Sequence, residues 1–371
     1  MDTSTHSSTV SSEFSHALPK WSIGVPIAAM VALVIVWGRP LEWALITLVT
    51  LALIAAVLAA VHHAEVVALR VGEPFGTLIL AVAVTVIEAG LIVSVMLGGG
   101  PTATVVARDA VFAAVMIACT GIIGICLVVG GLRHRELEYR IEGTSPALAV
   151  LVALATLTLV VPAYTTTIPG PSLSNLQLAF AGVMSLALYG VFVFVQTVRH
   201  RDYFLPSDVG DEASHASPPS LKIALTSFGL MALSLIAVVG LAKSLAPSIE
   251  AGVAAASAPL AVVGIAIAML VLLPETAAAV RAAARNRLQT SLNLGIGSAI
   301  ACIGLTIPTV AVVSMVIDVP LELGIPGKEA VLLVLTFVVA VLTLGSGRAT
   351  VMQGAVHLVL FTAFIFLAFF P

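Results

Sequence analysis

Long apolar stretches separated by short polar segments run along almost the whole chain. The hydrocarbon core of a membrane is ~30 Å thick and takes about 20 apolar residues in a helix. Membrane β-strands would instead alternate apolar and polar residues over ~10 positions. The stretches are continuous and therefore predict an all-α integral membrane protein with about eleven transmembrane helices, at residues 21–37, 41–61, 75–97, 109–131, 146–163, 176–198, 221–246, 255–280, 288–316, 329–345 and 350–370.

The longest polar segment between these spans is residues 199–220, RHRDYFLPSDVGDEASHASPPS. Its Ser, Pro and Asp content is typical of a flexible linker. Five spans lie between the first span and this linker, and five follow it. Because five is odd, the second group enters the membrane with the opposite orientation, which is the inverted-repeat arrangement of many secondary transporters. The predicted domains are a tail (1–20), a first transmembrane helix (21–37), a first five-helix repeat (41–198), the linker (199–220) and a second five-helix repeat (221–370).

Charged residues make up only 9% of the chain, against about 25% in soluble domains. If the N-terminus lies inside, 12 of the 16 Lys and Arg residues fall on the inner side. This bias follows the positive-inside rule and predicts a cytoplasmic N-terminus, a cytoplasmic linker and an external C-terminus. The net charge of −3 and the lack of a basic patch argue against a nucleic-acid partner. The expected surroundings are the lipid bilayer, inorganic cations and protons, and the pattern sets no oligomeric state.

Two carboxylates interrupt the apolar spans. Glu88 lies inside the third span, and Glu275 directly follows Pro274 in the eighth. A charge at bilayer depth costs at least ~2.5–3.5 kcal/mol, so such a residue is a candidate for function. Each glutamate stands ten residues from a predicted membrane edge, which is ~15 Å along a helix. One edge is the outer and the other the inner, so we expect the two carboxylates to meet near the midplane.

A pair of carboxylates in a low-dielectric site repel one another, so at least one tends to hold a proton when no cation is bound. A divalent cation favours the doubly ionised pair and displaces the protons. Hard cations such as Ca²⁺ take six to eight oxygen ligands. Pro274 can free backbone carbonyls by interrupting its helix. The other predicted ligands are Thr85, Asn293 and Ser298.

The remaining polar residues of the spans are expected to be structural. The cysteines form no cluster with histidine, which argues against a soft or transition-metal site and favours buried packing roles for Cys119, Cys126 and Cys302. His357 is expected to be a packing histidine with satisfied nitrogens, with a proton relay as the alternative. His62 and His63 are expected at the membrane interface, and Glu73 before Pro74 is expected to be a helix cap or an interfacial residue, with a step on the proton path as the alternative. Arg108 and Asp109 are expected to pair with each other or with water.

Several segments resemble one family: GEPFGTLIL, VIEAGLIVSVML, ARDAVFAAVMI, LYGVFVFVQT, LPETAAAVRAAARNRLQTSLNLGIGSAIA and SGRATVMQGAVHLVLF. They are similar to the ChaA-type calcium (sodium, potassium)/proton antiporters of the cation/calcium exchanger superfamily. The resemblance covers nearly the whole chain after residue 20. It implies two inverted five-helix halves behind an extra first helix, with Glu88 and Glu275 as the cation- and proton-binding pair. It also implies Ca²⁺, Na⁺ or K⁺ and H⁺ as transported ions, no cofactor, and a bacterial inner membrane.

The chain departs from the superfamily pattern around both glutamates. Gly-Asn often precedes each acidic residue in the superfamily, whereas here Val86-Ile87 precedes Glu88 and Leu273-Pro274 precedes Glu275. A Gly-Ser pair occurs at Gly297-Ser298 of the second half, but not in the first. The ligands beside the carboxylates therefore differ from that pattern.

Other functions fit the residues less well. A channel would need a filter loop or rings of charge. A membrane protease would show HExxH, but the only His pair reads HHAE. A carrier of organic anions would need a fixed Lys or Arg at depth. The sequence therefore favours a secondary transporter, not an enzyme, that exchanges Ca²⁺ (or Na⁺ or K⁺) for protons by alternating access. A cation channel and a monovalent cation/proton antiporter without Ca²⁺ activity remain the alternatives.

Overall fold

The computed structural model describes residues 18–72, 75–99, 103–168, 170–204 and 218–371, apart from the side chains of residues 77 and 78. Within these residues eleven helices cross the apolar layer. Ten are long and apolar enough to span a membrane, and the first is a shorter apolar helix of 17 residues. The helices are α1 (Lys20–Val36), α2 (Trp43–Val71), α3 (Phe75–Gly98), α4 (Val106–His134), α5 (Ile141–Tyr164), α6 (Asn175–Arg199), α7 (Leu221–Ala255), α8 (Ala261–Ala284), α9 (Leu288–Ile317), α10 (Gly327–Leu344) and α11 (Val351–Phe369).

Helices α6 and α7 end and begin at the same face of the molecule, which we call the linker face. Contacts at this face join the helix ends of both halves. Arg70 at the end of α2 donates to the carbonyl of Pro219 over 3.3 Å, just before α7. Two short antiparallel strands, β1 (Leu137–Glu138) and β2 (Arg348–Ala349), join the α4–α5 and α10–α11 connections.

The third helix of each half contains a π-helical turn at the corresponding place. These turns are Ile117–Ile122 in α4 and Cys302–Thr306 in α9. The fifth helix of each half packs against the π-helical turn of the other half at a glycine. A Cβ on Gly121 would meet the Phe361 ring at 3.3 Å, and a Cβ on Gly304 would meet the Tyr189 Cβ at 2.5 Å. The repetition agrees with the predicted fold of one extra helix and two five-helix halves.

Helix α2 continues ten residues beyond the predicted end of its span at residue 61. Within the protein His63 is fully buried. Its Nε2 lies 2.7 Å from the carbonyl oxygen of Ser22, because α1 packs against this part of α2. His62 packs beside the ring of Trp21. Glu73 lies outside the described residues.

The start of the linker is ordered, which the sequence did not predict. Residues Arg201–Phe204 form a 3₁₀ turn, and Phe204 is buried with its ring edge-on to Phe192 at 6.2 Å. The Arg140 Nη1 donates to the carbonyl of Asp202 over 2.6 Å. The prediction of a flexible linker is therefore wrong for its first residues, since tertiary contacts hold them. Residues 205–217 lie outside the described residues.

Helix α4 runs through the centre of the protein and approaches α8 closely. A Cβ on Gly264 of α8 would lie 2.7 Å from the backbone nitrogen of Ala110. At the end of α4 away from the linker face, the Arg108 Nε donates to Asp109 Oδ1 over 2.8 Å, so the predicted pairing is confirmed. Arg108 also faces Glu322 at 3.6 Å. The two halves are thus packed together around α4 and α8.

Candidate cation-binding site

A cavity of about 470 Å³ lies between the two halves. Its walls come from α3 and α4 of the first half, α8 and α9 of the second, and the end of α6. All five ligands predicted from the sequence line this one cavity: Thr85, Glu88, Glu275, Asn293 and Ser298. The structure therefore brings together residues that are up to 213 positions apart in the chain.

The Glu88 carboxylate is held by two side chains of the opposite half. Glu88 is only 3% exposed. The Cys302 thiol donates to Glu88 Oε1 over 2.6 Å, and the Thr306 hydroxyl donates to Oε2 over 3.2 Å. Both donors belong to the π-helical turn of α9 and stand one helical turn apart. They fix the position of Glu88 in the cavity wall.

Glu275 stands in a different environment. Its Oε2 is buried and has no hydrogen-bond partner within the described residues. The Glu88 and Glu65 carboxylates both lie near enough to repel it electrostatically. An unpaired buried carboxylate oxygen is costly unless a ligand or proton satisfies it. Within the described residues, Glu275 is thus the member of the pair with an unpaired carboxylate oxygen.

Within the described residues, the cavity extends from the two glutamates toward the linker face. From the two glutamates its lining continues to Leu80 at the start of α3, Thr290 at the start of α9, and Arg201 and Phe204. Beyond Glu88 in the other direction, the side chains are tightly packed and buried. They include Leu91, Ile92, Val95 and Met96 of α3, and Val310 and Ala311 of α9. In the described part of the chain, the cavity therefore extends to the linker face and is closed by packed side chains beyond Glu88.

The Asn293 amide is already engaged by protein groups. Its Nδ2 donates to the Phe204 carbonyl over 2.6 Å, and its Oδ1 accepts from Gln289 Nε2 over 2.9 Å. The Gln289 Oε1 in turn accepts from the Arg140 backbone N–H over 2.8 Å. Thr85 and Ser298, in contrast, make no side-chain hydrogen bond within the described part of the chain, so their hydroxyls are available to a ligand in the cavity.

We expect Asn293→Ala to release the turn at the cavity mouth without weakening cation binding. The variant loses both amide bonds, and each buried hydrogen bond left open costs about 1–3 kcal/mol. Hydrogen–deuterium exchange at residues 201–204 should therefore rise, while the dissociation constant for the cation stays unchanged. Ser298→Ala on the same helix is the matched comparison and should weaken the cation affinity while leaving exchange at the turn unaltered. The reverse pattern would make Asn293 an ion ligand.

His357 and two of the three cysteines fit the structural roles expected from the sequence. The buried His357 places Nδ1 2.7 Å from the Cys119 carbonyl and Nε2 3.1 Å from the Thr343 hydroxyl. This is the satisfied packing histidine that we expected. Cys119 and Cys126 are free and buried, in agreement with packing roles. Cys302 is different, because its thiol contacts Glu88.

Sequence reasoning missed Cys302, Thr306, Gln289 and the residues of the linker turn. The available signal for the first two was their spacing, which places two small donors one turn apart inside an apolar span. For the linker turn the only signal was the aromatic pair Tyr203-Phe204 within a polar segment.

A family model of the sodium/calcium exchanger proteins matches residues 41–198 and 226–370, which is most of the chain and includes every candidate ligand. The chain belongs to this exchanger family. The two matched blocks correspond to the two halves of the fold and leave out the whole 199–220 linker.

Two relatives extend over nearly the full length of the exchanger. It is 46% identical over 361 residues to y4hA of Sinorhizobium fredii, which is named as an ionic transporter; the match covers 95% of this chain and 97% of that protein. It is 32% identical over 355 residues to the sodium-potassium/proton antiporter ChaA of Escherichia coli, covering 94% and 96% of the two chains.

Solved structures show the same fold at lower identity. The exchanger superposes on native YfkE with a TM-score of 0.71 at 16% identity, covering 95% of this chain and 99% of that one. It superposes on the H⁺/Ca²⁺ exchanger CAX with a TM-score of 0.71 at 14% identity, covering 93% and 86%. Together with its apolar helices, these matches make the exchanger an integral membrane protein with the fold of this superfamily.

Proposed function

We propose that the exchanger moves cations in one direction across the membrane and protons in the other, using Glu88 and Glu275 as the shared binding groups. The observation that carries this proposal is the pair of carboxylates at the closed end of a cavity that opens to one face. Within the described residues no Lys or Arg forms an ion pair with either carboxylate. Their natural counter-charges are therefore a cation or protons from solution.

The proposed cycle is alternating access. In the conformation described here a cation enters from the linker face, and the ionised Glu88 and Glu275 bind it together with the free hydroxyls of Thr85 and Ser298. The packed side chains of α3 and α9 beyond Glu88 then separate, while the end of the cavity at the linker face closes. Protons from the far side neutralise the carboxylates and release the cation, and the protonated pair returns. Because bound cation and protons compete for the same oxygens, the two fluxes are coupled.

Ca²⁺ is the first candidate for the transported cation, because two carboxylates and nearby hydroxyls are the hard oxygen ligands that it prefers. The second candidate is a monovalent cation, Na⁺ or K⁺. It is favoured by the 32% identity to ChaA, which is named as a sodium-potassium/proton antiporter. We assign no cofactor and no catalytic reaction to the chain.

For the orientation we propose that the linker face is cytoplasmic and that the protein lies in a bacterial inner membrane. The support is the excess of Lys and Arg at this face together with the positive-inside rule. Residues 1–20 would then form a cytoplasmic tail before the first helix at 21–37. Residues 41–198 and 221–370 are the proposed five-helix repeats on either side of the 199–220 linker.

The test is proton movement in inverted membrane vesicles with an acidified interior and a pH-sensitive dye. Ca²⁺, Na⁺ and K⁺ are added separately, and the transported cation should drive protons out. The half-saturating cation concentration should rise as the pH falls, by up to about tenfold per pH unit for each competing proton. A saturable response with this pH dependence supports exchange. Cation flux without proton movement would indicate a channel, and no response to any of the three cations would contradict the proposal.

A further inference from the structure

A thiol lies directly at the carboxylate of the candidate site. The Cys302 Sγ is 2.6 Å from Glu88 Oε1, and Cys302 is part of the cavity wall. The other two cysteines, Cys119 and Cys126, are equally buried but do not line the cavity. Cys302 is thus the cysteine that a dissolved ion can meet on its way to the carboxylates.

A second feature of the same cavity points to a ligand. Within the described residues the Glu275 Oε2 is buried without a hydrogen-bond partner, and Glu275 lines the cavity. Within the described ranges, no three Cys, His, Asp or Glu side chains come together closely enough to enclose a metal by themselves. A metal ion bound here would therefore take few protein ligands and complete its shell with cavity water.

We propose that Cys302 and Glu88 form a binding site for soft divalent cations, with Cd²⁺ as the probe, and that an ion held there blocks the transport site. Thiolate sulfur is a soft ligand and prefers such ions to Ca²⁺, Na⁺ or K⁺. On binding, the Cys302 S–H bond breaks, the electron pair stays on sulfur and forms the bond to Cd²⁺, and the proton passes to cavity water. The Glu88 Oε1, which accepts the hydrogen bond of the thiol before the cation binds, becomes the neighbouring oxygen ligand.

The thiol therefore distinguishes between cations of similar size. Ca²⁺ gains nothing from sulfur and is held by oxygens alone, so it can leave when protons arrive. A cation that also bonds to sulfur is released only if the thiol is protonated again as well. The result is a site that exchanges hard cations and retains soft ones.

Direct binding tests the site without any transport assay. Radioactive Cd²⁺ is measured by equilibrium dialysis on the purified full-length protein in detergent, for wild type, Cys302→Ser and Cys119→Ser. Loss of a ligand should weaken the affinity by about tenfold or more in Cys302→Ser. The affinity of Cys119→Ser, which changes a cysteine outside the cavity, should match that of the wild type. Equal affinities for wild type and Cys302→Ser would overturn the proposal.

A second measurement uses the wild type alone and so does not depend on folding of a variant. A maleimide is added with and without Cd²⁺, and labelling of each cysteine is followed by peptide mass spectrometry. Cd²⁺ should slow the labelling of Cys302 and leave that of Cys126 unchanged. Labelling of Cys302 at the same rate in both samples would overturn the site.

Blocking of transport rests on the proposed exchange function, whereas binding does not. In vesicles, Cd²⁺ inhibition is expressed relative to the uninhibited rate of each variant, and Cys302→Ser should need about tenfold more Cd²⁺. Wild-type vesicles that exchange no cation at all would refute the proposed function but leave the dialysis result valid. Inhibition that is equally strong in both variants would place the block elsewhere.

Discussion

Replacing Glu88 by Gln is expected to reduce the rate of cation-driven proton exchange about a hundredfold, which corresponds to about 2.7 kcal/mol of activation free energy. Gln keeps the size of the side chain and can still accept a hydrogen bond, but it carries no charge and takes up no transported proton. The Cys302 thiol and the Thr306 hydroxyl each donate to one carboxylate oxygen of Glu88. In Glu88→Gln the amide NH₂ replaces one of these oxygens, so a hydrogen-bond donor faces another donor.

The measurement is dye dequenching in inverted vesicles with the cation to which the wild type responds. Glu88→Asp keeps the charge but draws the carboxylate back from its two donors. Its exchange rate should therefore lie between those of the wild type and Glu88→Gln. Glu65→Gln is the matched control, since Glu65 is a glutamate of a membrane helix that does not line the cavity. If Glu88→Gln exchanges protons at the wild-type rate, the Glu88 carboxylate has a structural role and is not part of the transport site.

Replacing Glu275 by Gln is expected to abolish exchange while leaving the resting protein at least as stable as the wild type. The Glu275 Oε2 has no partner to lose within the described residues, and Glu88 and Glu65 repel its charge. The unpaired oxygen is instead satisfied by the bound cation. The cation should therefore raise the melting temperature of the wild type, and this rise should disappear in Glu275→Gln.

Thermal unfolding of the purified proteins in detergent, with and without the cation, measures this effect. At a hundredfold excess of cation over its dissociation constant, the wild type should gain about 2.7 kcal/mol. Glu65→Gln should keep the gain, since it removes a neighbouring charge without removing a ligand. A variant at position 275 that is stabilised by the cation as strongly as the wild type would remove Glu275 from the binding site.

The helices and the two glutamates could be predicted from the sequence because both leave a local signal. An apolar span of about 20 residues is a strong constraint in a membrane, and a carboxylate inside it is conspicuous for its cost. The convergence of Glu88 and Glu275 followed from counting residues to the helix ends. The cavity does contain both.

The partners of these residues could not be predicted, because they depend on contacts between distant segments. A π-helical turn adds one residue to a helix without changing its apolar character, so the spacing of Cys302 and Thr306 did not by itself indicate that they face Glu88. Asn293 was predicted as an ion ligand from its depth and type. Whether an amide binds an ion or a carbonyl depends on its neighbours, and here the neighbour is Phe204 from the linker.

The closed, apolar side of the cavity has an electrical consequence. When water fills the cavity, it carries the potential of the linker-face solution toward Glu88 and Glu275, and the membrane voltage then falls mainly across the packed side chains beyond them. An elementary charge that crosses the full voltage gains or loses about 2.3 kcal/mol per 100 mV. A cation therefore reaches the carboxylates from the linker face almost without electrical work. The voltage dependence of the cycle is then concentrated in the step that opens the far side, where net charge moves through the field.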